Sequence, residues 1–241
     1  PYSPAAGTGL SSHELNQPGT YKDVKDTSAV ALFKCSHEKN IGHASYKKMV
    51  DGIGERSDVY FMAWTTTPWT LPSNLGLTVG PNIEYTLIHT FNPYTGEPQY
   101  VVLATALVGK YFKEDAAAVS FETFKLGDKL IPWKQVQTFI GAELSGLYYD
   151  QLFQFEANRL DVILDITPEA DPFKVVVGDF VTTEDGTGIV HTAPAFGADD
   201  YKVGKKNNLG ILTLVDREGK FVEGVGAFSN RYVKNYKNEE Q

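Results

Sequence analysis

Cysteine and long apolar runs are scarce in this sequence. Its 241 residues include one cysteine, Cys35, which excludes an intrachain disulfide and favours a reducing, cytoplasmic compartment. No apolar run approaches the roughly 20 residues of a membrane-spanning helix, and no secretory leader is expected. With 42% hydrophobic residues, a chain of this length can bury a sizeable core. These features predict a globular domain without disulfides or membrane spans.

Positively charged residues are also fewer than negatively charged ones. The chain has 22 lysines and arginines against 30 acidic residues, a net charge of −8. This balance argues against a protein that binds a long stretch of nucleic acid, because such binding depends on electrostatic attraction to the phosphates. It still allows binding of a single-stranded end. Local basic patches are found at Lys47 with Lys48, at Lys202 with Lys205 and Lys206, and at Arg231 with Lys234 and Lys237. Such charge runs are usually solvated faces.

Short strand patterns outnumber helical ones along the chain. They predict a mixed α/β, strand-rich fold, although spacing alone leaves a sandwich and a barrel with small peripheral helices unresolved. Strands are expected at residues 29–35, 58–65, 75–79, 85–90, 99–104, 118–124, 136–140, 175–182, 188–192 and 211–215. Helices are expected at residues 45–51, 105–113 and 198–207. The turn at Asp185-Gly186 predicts a hairpin that pairs strand 175–182 with the strand carrying His191.

Composition divides the chain into three parts. Residues 1–27 are rich in Gly, Pro, Ser and Asn and predict an extended lead-in. Residues 28–230 hold the periodic patterns of the domain, and residues 231–241 predict a polar exit linker. The first residue is proline instead of methionine, which favours a piece of a longer protein.

A threonine-rich segment follows the strand pattern at residues 58–63. It reads Trp64-Thr65-Thr66-Thr67-Pro68-Trp69-Thr70-Leu71-Pro72-Ser73-Asn74, with prolines that end the strand and stiffen the backbone. Single threonines are common in strands for packing reasons alone. Three in a row at a proline-terminated strand end instead favour a site that holds a sugar, a phosphate or a polarised water.

A second segment, residues 186–201, combines a histidine with two carboxylates. His191 lies at the end of a predicted strand, Pro194 stops that strand, and the first turn of the next helix contains Asp199 and Asp200. Carboxylates at a helix N-terminus stabilise it by roughly 0.3–1 kcal/mol, which is a sufficient reason for Asp199. A lone histidine is more often structural than catalytic.

These two segments resemble the signature blocks of the editing domain inserted into isoleucyl-tRNA synthetases, a class I aminoacyl-tRNA synthetase family. Pro1-Tyr2-Ser3-Pro4 and Leu10-Ser11-Ser12-His13-Glu14 are similar to the start of that insertion, so the resemblance spans nearly the whole chain. Valyl and leucyl relatives carry an arginine after the first two threonines. Here Thr67 and Pro68 follow Thr65 and Thr66, which favours the isoleucyl member.

The resemblance implies a β-barrel core decorated by helices and an aminoacyl-tRNA deacylase that hydrolyses valine from mischarged tRNA(Ile). It assigns Thr65, Thr66 and Thr67 to the terminal adenosine and to positioning water. It assigns Asp200 to the α-ammonium group of the amino acid. Whether valyl-adenylate is also hydrolysed stays open.

The resemblance further implies that His191 and Thr70 admit valine and refuse isoleucine, and that Asn74 lies near the same site. Trp69 is expected either to line the pocket or to pack in the core. The implied partners are the valine-carrying 3′ end of tRNA(Ile) and the rest of the parent synthetase, with no membrane and a monomeric fragment. The ATP-site signatures of the parent enzyme are missing, so amino-acid activation is not expected.

No cofactor or metal is implied. Cys35, His37 and His43 match no common zinc spacing, and no Gly-x-Ser-x-Gly nucleophile pattern occurs. Two other functions stay open. One is a binding module for the aminoacylated tRNA end that needs the parent enzyme for turnover, which the acidic charge favours. The other is an editing domain of the valyl or leucyl type.

Overall fold

The structure, a computed structural model, describes residues 2–3, 7–21, 23, 26–54 and 57–234. Parts of the predicted lead-in and of the exit linker, including Pro1, Pro4 and Lys237, lie outside these residues. Within the described ranges, no helix has the length and apolar character needed to cross a membrane.

The chain alternates short strands with short helices. The strands are β1 (Tyr2–Ser3), β2 (Thr8–Gly9), β3 (Ala29–Lys34), β4 (Val59–Thr65), β5 (Gly76–Val79), β6 (Glu84–Phe91), β7 (Pro98–Ala104), β8 (Lys134–Ile140), β9 (Lys174–Val177) and β10 (Ile189–Thr192). The α-helices are α1 (Ser12–Leu15), α2 (His37–Asn40), α3 (Ala44–Val50), α4 (Val108–Tyr111), α5 (Gly141–Leu144), α6 (Leu160–Ile166) and α7 (Ala198–Lys206). Short 3-10 helices occur at Pro68–Ser73, Thr105–Leu107, Glu114–Ala118, Glu156–Asn158 and Gly226–Phe228.

Strand β4 is the branch point of the main sheet. One of its edges, from Tyr60 to Thr65, pairs antiparallel with the whole of β3. The other edge is shared, because β7 pairs with its first residues and β10 pairs with Trp64 near its end, both in parallel. From there β10 pairs with β5 and β5 with β9, while β7 continues to β6 and β8.

The branch that contains β10 closes into a barrel through residues 146–150. On one side this segment exchanges backbone hydrogen bonds with the β9 region, from Gly146 N to Val175 O (2.8 Å) and from Val175 N to Leu147 O (2.7 Å). On the other side it bonds to β3 and the residues after it, from Asp150 N to Lys34 O (2.7 Å) and from Ser36 N to Tyr148 O (3.0 Å). The predicted strand-rich fold with a β-barrel core is therefore confirmed.

Alternating apolar side chains of these strands fill the barrel. Phe33, Phe61, Leu77 and Val175 are fully buried there, and the ring of Tyr149 meets Phe33 edge-on at 5.2 Å between centroids. A second, smaller cluster covers the other face of the β4, β6 and β7 region and contains Met62, Ile88, Val101 and Leu103. Since β4 contributes to both clusters, it is buried on both faces.

Three local predictions were wrong. Residues 118–124 form no strand, because Phe121 and Phe124 instead stack on His89 and Phe91 of β6, with ring centroids 4.5 and 4.4 Å apart. Residues 211–215 also form no strand: Leu212 and Leu214 alternate into the core, but only Val215 makes a bridge, to Phe221.

The predicted hairpin at Asp185-Gly186 was the third error. Strand β5 lies between β9 and β10, so these two strands do not pair with each other. Gly186 does adopt a left-handed turn (φ 68°), but it packs against the ring of Trp64. The turn was therefore predicted correctly, but the pairing of the two strands that flank it was not.

Gly188, at the entrance to β10, is expected to tolerate no side chain. Its φ is +74°, and an added Cβ would lie 2.4 Å from the Cβ of Ala104. We expect Gly188→Ala to lower the free energy of unfolding by about 2–4 kcal/mol, through backbone strain and overpacking. Urea unfolding measures this. Gly109→Ala, where the added Cβ meets open space, is the control and should change stability by no more than about 1 kcal/mol; equal effects would contradict the account.

Candidate active site

Parallel strands bring the two polar segments together. Strands β4 and β10 are adjacent and parallel, with Trp64 opposite Val190, so both end at the same edge of the barrel. The threonine-rich segment begins where β4 ends. His191 lies near the end of β10, and the chain then continues into α7. Segments separated by more than a hundred residues therefore meet at one place.

The threonine-rich segment folds into a compact turn. The hydroxyl of Thr65 accepts a hydrogen bond from the backbone N–H of Thr67 at 3.1 Å, a local bond that competes with strand continuation. Pro68 then begins the 3-10 helix Pro68–Ser73, a position where its missing N–H costs nothing. This geometry buries Thr65 and Thr70 and leaves Thr66 exposed.

Asp200 reaches the same place from the first turn of α7. One oxygen of its carboxylate accepts the backbone N–H of Ala193 at 2.9 Å. Asp199, in contrast, points to solvent and pairs with Lys202 at 3.1 Å. Of the two neighbouring carboxylates, the structure thus turns only Asp200 inward.

A cavity of about 300 Å³ lies between the two segments. It contains seven of the eight predicted site residues, namely Thr65, Thr66, Thr67, Trp69, Thr70, His191 and Asp200. It is completed by Trp64, Val190, Phe196 and Gly197, which sequence reasoning did not single out although they belong to the same two segments. The eighth predicted residue, Asn74, lies behind His191 and not in the cavity wall.

Trp69 both lines this cavity and packs against the core, so the two expectations for it hold together. Its ring meets Phe196 edge-on at 5.2 Å between centroids. Within the described part of the chain its buried indole Nε1–H has no hydrogen-bond partner.

Hydrogen bonds on both ring nitrogens hold His191. Asn74 Nδ2 lies 2.9 Å from His191 Nδ1 and also donates to the carbonyl of Gly76 at 2.8 Å. On the other side, His191 Nε2 lies 2.8 Å from the hydroxyl of Thr70, which donates its own proton to the carbonyl of Thr67. An amide NH₂ can only donate, so Nδ1 is the acceptor and the proton of the neutral ring is on Nε2.

The electrostatics of the site agree with this assignment. Burial lowers the pKa of His191 to about 4, so the imidazole is neutral near pH 7. Its Nδ1 lone pair is occupied by Asn74 and its Nε2 proton by Thr70. His191 therefore has no free basic nitrogen and acts as a rigid wall of the cavity, not as a general base.

Asp200 has the opposite character. Burial raises the pKa of its carboxyl group, which the Ala193 N–H only partly offsets. In the described ranges no Lys, Arg or His forms an ion pair with it. A half-buried carboxylate without a counter-ion favours a cationic ligand, because pairing relieves the cost of its charge.

The other titratable groups flagged in the sequence have structural roles. His37 Nδ1 lies 2.8 Å from the Tyr46 hydroxyl, and His43 caps α3 through the N–H of Ser45. Burial raises the pKa of the Cys35 thiol to about 12. Among the described residues no group of three or more His, Cys, Asp or Glu side chains is placed to hold a metal ion.

In each of the three basic patches, one lysine is ion-paired with an acidic residue. The pairs are Lys48 with Glu143, Lys202 with Asp199 and Lys234 with Asp26.

No protein-family model matches the chain. Among curated proteins, it is 53% identical over 244 residues to an isoleucine–tRNA ligase of Cytophaga hutchinsonii, covering 97% of this chain and 20% of that protein. It is 51% identical over 221 residues to the corresponding ligase of Bacteroides thetaiotaomicron, covering 91% and 18%. The chain thus spans about one fifth of the length of these relatives.

Among solved structures, the chain is similar to cytosolic leucyl-tRNA synthetase editing domains of two Plasmodium species. For P. knowlesi the TM-score is 0.47 at 14% identity, covering 73% of this chain and 62% of that one. For P. falciparum the TM-score is 0.46 at 15% identity, covering 76% and 68%. Likeness at this level has no bearing on function.

The neutral state of His191 predicts a pH-dependent stability. Its pKa is about 4 in the folded protein and about 6.5 in an unfolded chain, so on acidification the unfolded state binds the proton first. The stabilisation is complete above about pH 6.5 and is lost as pH falls towards 4, by roughly 3 kcal/mol in all.

Urea unfolding at pH 7 and pH 4.5 measures this loss. The fall in unfolding free energy should be about 2–3 kcal/mol smaller in His191→Gln than in the wild type. His13→Gln, at an exposed histidine, should fall as the wild type does. A wild-type fall equal to that of His191→Gln would contradict the burial of a neutral imidazole.

Proposed function

The chain belongs to the isoleucine–tRNA ligase family, where its two motifs match the inserted editing domain, and we propose that its cavity hydrolyses the ester between valine and the 3′ end of tRNA(Ile). One observation carries the proposal: an inward carboxylate, which has no counter-ion among the described residues, faces a row of threonine hydroxyls across one small cavity.

Asp200 is suited to the α-ammonium group of an esterified amino acid. Bonds between an ammonium and a carboxylate are roughly twice as strong as neutral hydrogen bonds. The ammonium would also stabilise the charge that burial disfavours. An ester is the form of an amino acid that retains this positive charge and has no opposing carboxylate, so the site favours aminoacyl esters over free zwitterions.

The size of the cavity limits what can enter it. At about 300 Å³ it stands at the small end of ligand pockets, which run from roughly 300 to 1,000 Å³. An aminoacyl group fits this volume. With the aminoacyl group inside the cavity, the terminal adenosine would lie towards the solvent, where the exposed Thr66 is.

The reaction requires positioning more than strong acid–base chemistry. A water oxygen attacks the ester carbonyl carbon, the bond to the ribose oxygen breaks, and valine and a ribose hydroxyl result. Thr65 and Thr67 present hydroxyls 3.4 Å apart that can orient such a water. Since the ester is already activated, orientation supplies a large part of the acceleration. Neither a covalent nucleophile nor a histidine base is required.

Discrimination would come from rigid walls. A pocket rejects a substrate that lacks one methylene by only about 1–3 kcal/mol, a limit for which isoleucyl enzymes discriminating against valine are the standard example. A cavity that fits valine excludes the larger isoleucine by overlap, provided that its walls do not yield. His191 and Thr70 meet that condition because each is buried and held by hydrogen bonds.

Asp200→Asn tests the proposal without removing the side chain. We expect hydrolysis of Val-tRNA(Ile) to fall about 10- to 100-fold, as for loss of a charge-assisted hydrogen bond, and binding of a non-hydrolysable valyl-adenosine analogue to weaken similarly. The free energy of unfolding should not fall, because burial disfavours the charge of this carboxylate. Asp199→Asn, at the solvent-facing neighbour, is the matched control and should stay within about twofold of the wild type.

The wild-type chain distinguishes the alternatives. The proposal requires valyl esters to be hydrolysed much faster than isoleucyl esters on the same tRNA. Binding of the analogue without any hydrolysis would identify a binding module that depends on the parent enzyme. Faster cleavage of threonyl or norvalyl esters would identify an editing domain of the valyl or leucyl type. Unchanged binding in Asp200→Asn would remove this carboxylate from the site.

A further inference from the structure

A buried tyrosine lies behind the cavity wall. Tyr149 is 1% exposed and belongs to the segment 146–150 that closes the barrel. Its hydroxyl donates to Asn74 Oδ1 at 2.6 Å. It does not line the cavity, and no sequence motif points to it.

This hydroxyl is the first member of a directional hydrogen-bond chain. Because Tyr149 donates to Oδ1, the NH₂ group of Asn74 is turned towards its two acceptors, the Gly76 carbonyl and His191 Nδ1. His191 must then hold its proton on Nε2 and direct it to Thr70. A half-turn of the Asn74 amide would place its oxygen against the Gly76 carbonyl, two acceptors facing each other.

We propose that Tyr149 is a positioning residue of the cavity: through Asn74, its hydroxyl holds His191 as the Nε2–H tautomer whose proton is committed to Thr70. The proposal rests on the proposed function for its catalytic consequence, and its structural part stands without it. The tautomer matters because the Nδ1–H form would present a lone pair at Nε2. The Thr70 hydroxyl would then donate to His191 and release the Thr67 carbonyl, loosening the turn that carries the threonines.

Removing the Tyr149 hydroxyl should reverse this preference in part. Tyr149→Phe leaves the ring, and its contact with Phe33, in place. The buried Oδ1 of Asn74 would lose its donor, and unsatisfied buried acceptors are costly. The donor available in its place is an Nδ1–H on His191, which Oδ1 reaches only if the amide turns and gives up its bond to the Gly76 carbonyl. The two arrangements therefore compete, and the Nδ1–H tautomer becomes partly populated.

Two other tyrosines provide matched controls. Tyr148→Phe removes the neighbouring hydroxyl, which donates to Asp171 at 2.9 Å on the outside of the barrel. Tyr85→Phe removes an equally buried hydroxyl, which donates to Gly188 O at 2.6 Å and accepts the N–H of Gly80. Tyr85→Phe therefore reproduces the stability loss of a buried hydroxyl without touching Asn74.

The tautomer of His191 can be read by long-range ¹H–¹⁵N correlation spectra of the ¹⁵N-histidine-labelled chain near pH 7. We expect the pure Nε2–H pattern in the wild type and in both controls, and a mixture with the Nδ1–H pattern in Tyr149→Phe. Hydrolysis of Val-tRNA(Ile) by Tyr149→Phe should fall about fivefold, the factor that corresponds to a net hydrogen bond of ~1 kcal/mol. The controls should stay within about twofold of the wild type.

Asn74→Asp keeps the test decisive if Tyr149→Phe fails to fold. A carboxylate accepts where the amide donated, so His191 should then carry a proton on Nδ1. A pure Nε2–H pattern in Tyr149→Phe or Asn74→Asp would overturn the proposal. So would a changed tautomer with unchanged hydrolysis. If the wild type hydrolyses no valyl ester, the proposed function fails, whereas the tautomer spectra still decide whether Tyr149 sets His191.

Discussion

The parallel pairing of β4 with β10, at Trp64 and Val190, carries the rest of the site. Parallel neighbours end at the same edge of a sheet, so the threonine-rich turn and the strand of His191 emerge together. Residues 146–150 close the barrel by hydrogen bonds to the β9 region on one side and to β3 and the residues after it on the other. Helix α7 then needs only a short connection to bring Asp200 to the threonines. The position of the cavity thus follows from the strand order, and residues of two short segments are enough to line it.

Its polar groups divide into two kinds. Tyr149, Asn74, His191 and Thr70 form one continuous chain in which every buried donor meets an acceptor, as a stable buried network requires. Asp200 stands apart, with a backbone N–H but no counter-ion in the described part of the protein. The first set makes the cavity wall rigid, and under the proposed function Asp200 binds the ammonium group. Because these two contributions come from different side chains, they can be tested separately.

Much of this arrangement could be predicted from the sequence. Of the ten strands expected from alternating apolar residues, eight are found, and they are the eight strands of the main sheet. The three consecutive threonines, Trp69, Thr70, His191 and Asp200 do meet in one cavity. Long-range pairing was less accessible. Asp185-Gly186 has hairpin chemistry, yet β5 takes the place beside β10, because strand neighbours are chosen by the whole barrel. Phe121 and Phe124 alternate as in a strand but serve an aromatic stack. The polarity of Asn74 does not indicate that its side chain is buried behind His191. No sequence motif around Tyr149 indicates that its hydroxyl bonds to Asn74.

The central claim is that the cavity holds an aminoacyl ester by its ammonium group. A crystal structure of the chain with a non-hydrolysable valyl-adenosine analogue tests it most directly. We expect the amine within hydrogen-bond distance of Asp200, the valine side chain against His191 and Thr70, and the adenosine beside Thr66. An analogue bound elsewhere, or bound with its amine turned away from Asp200, would contradict it.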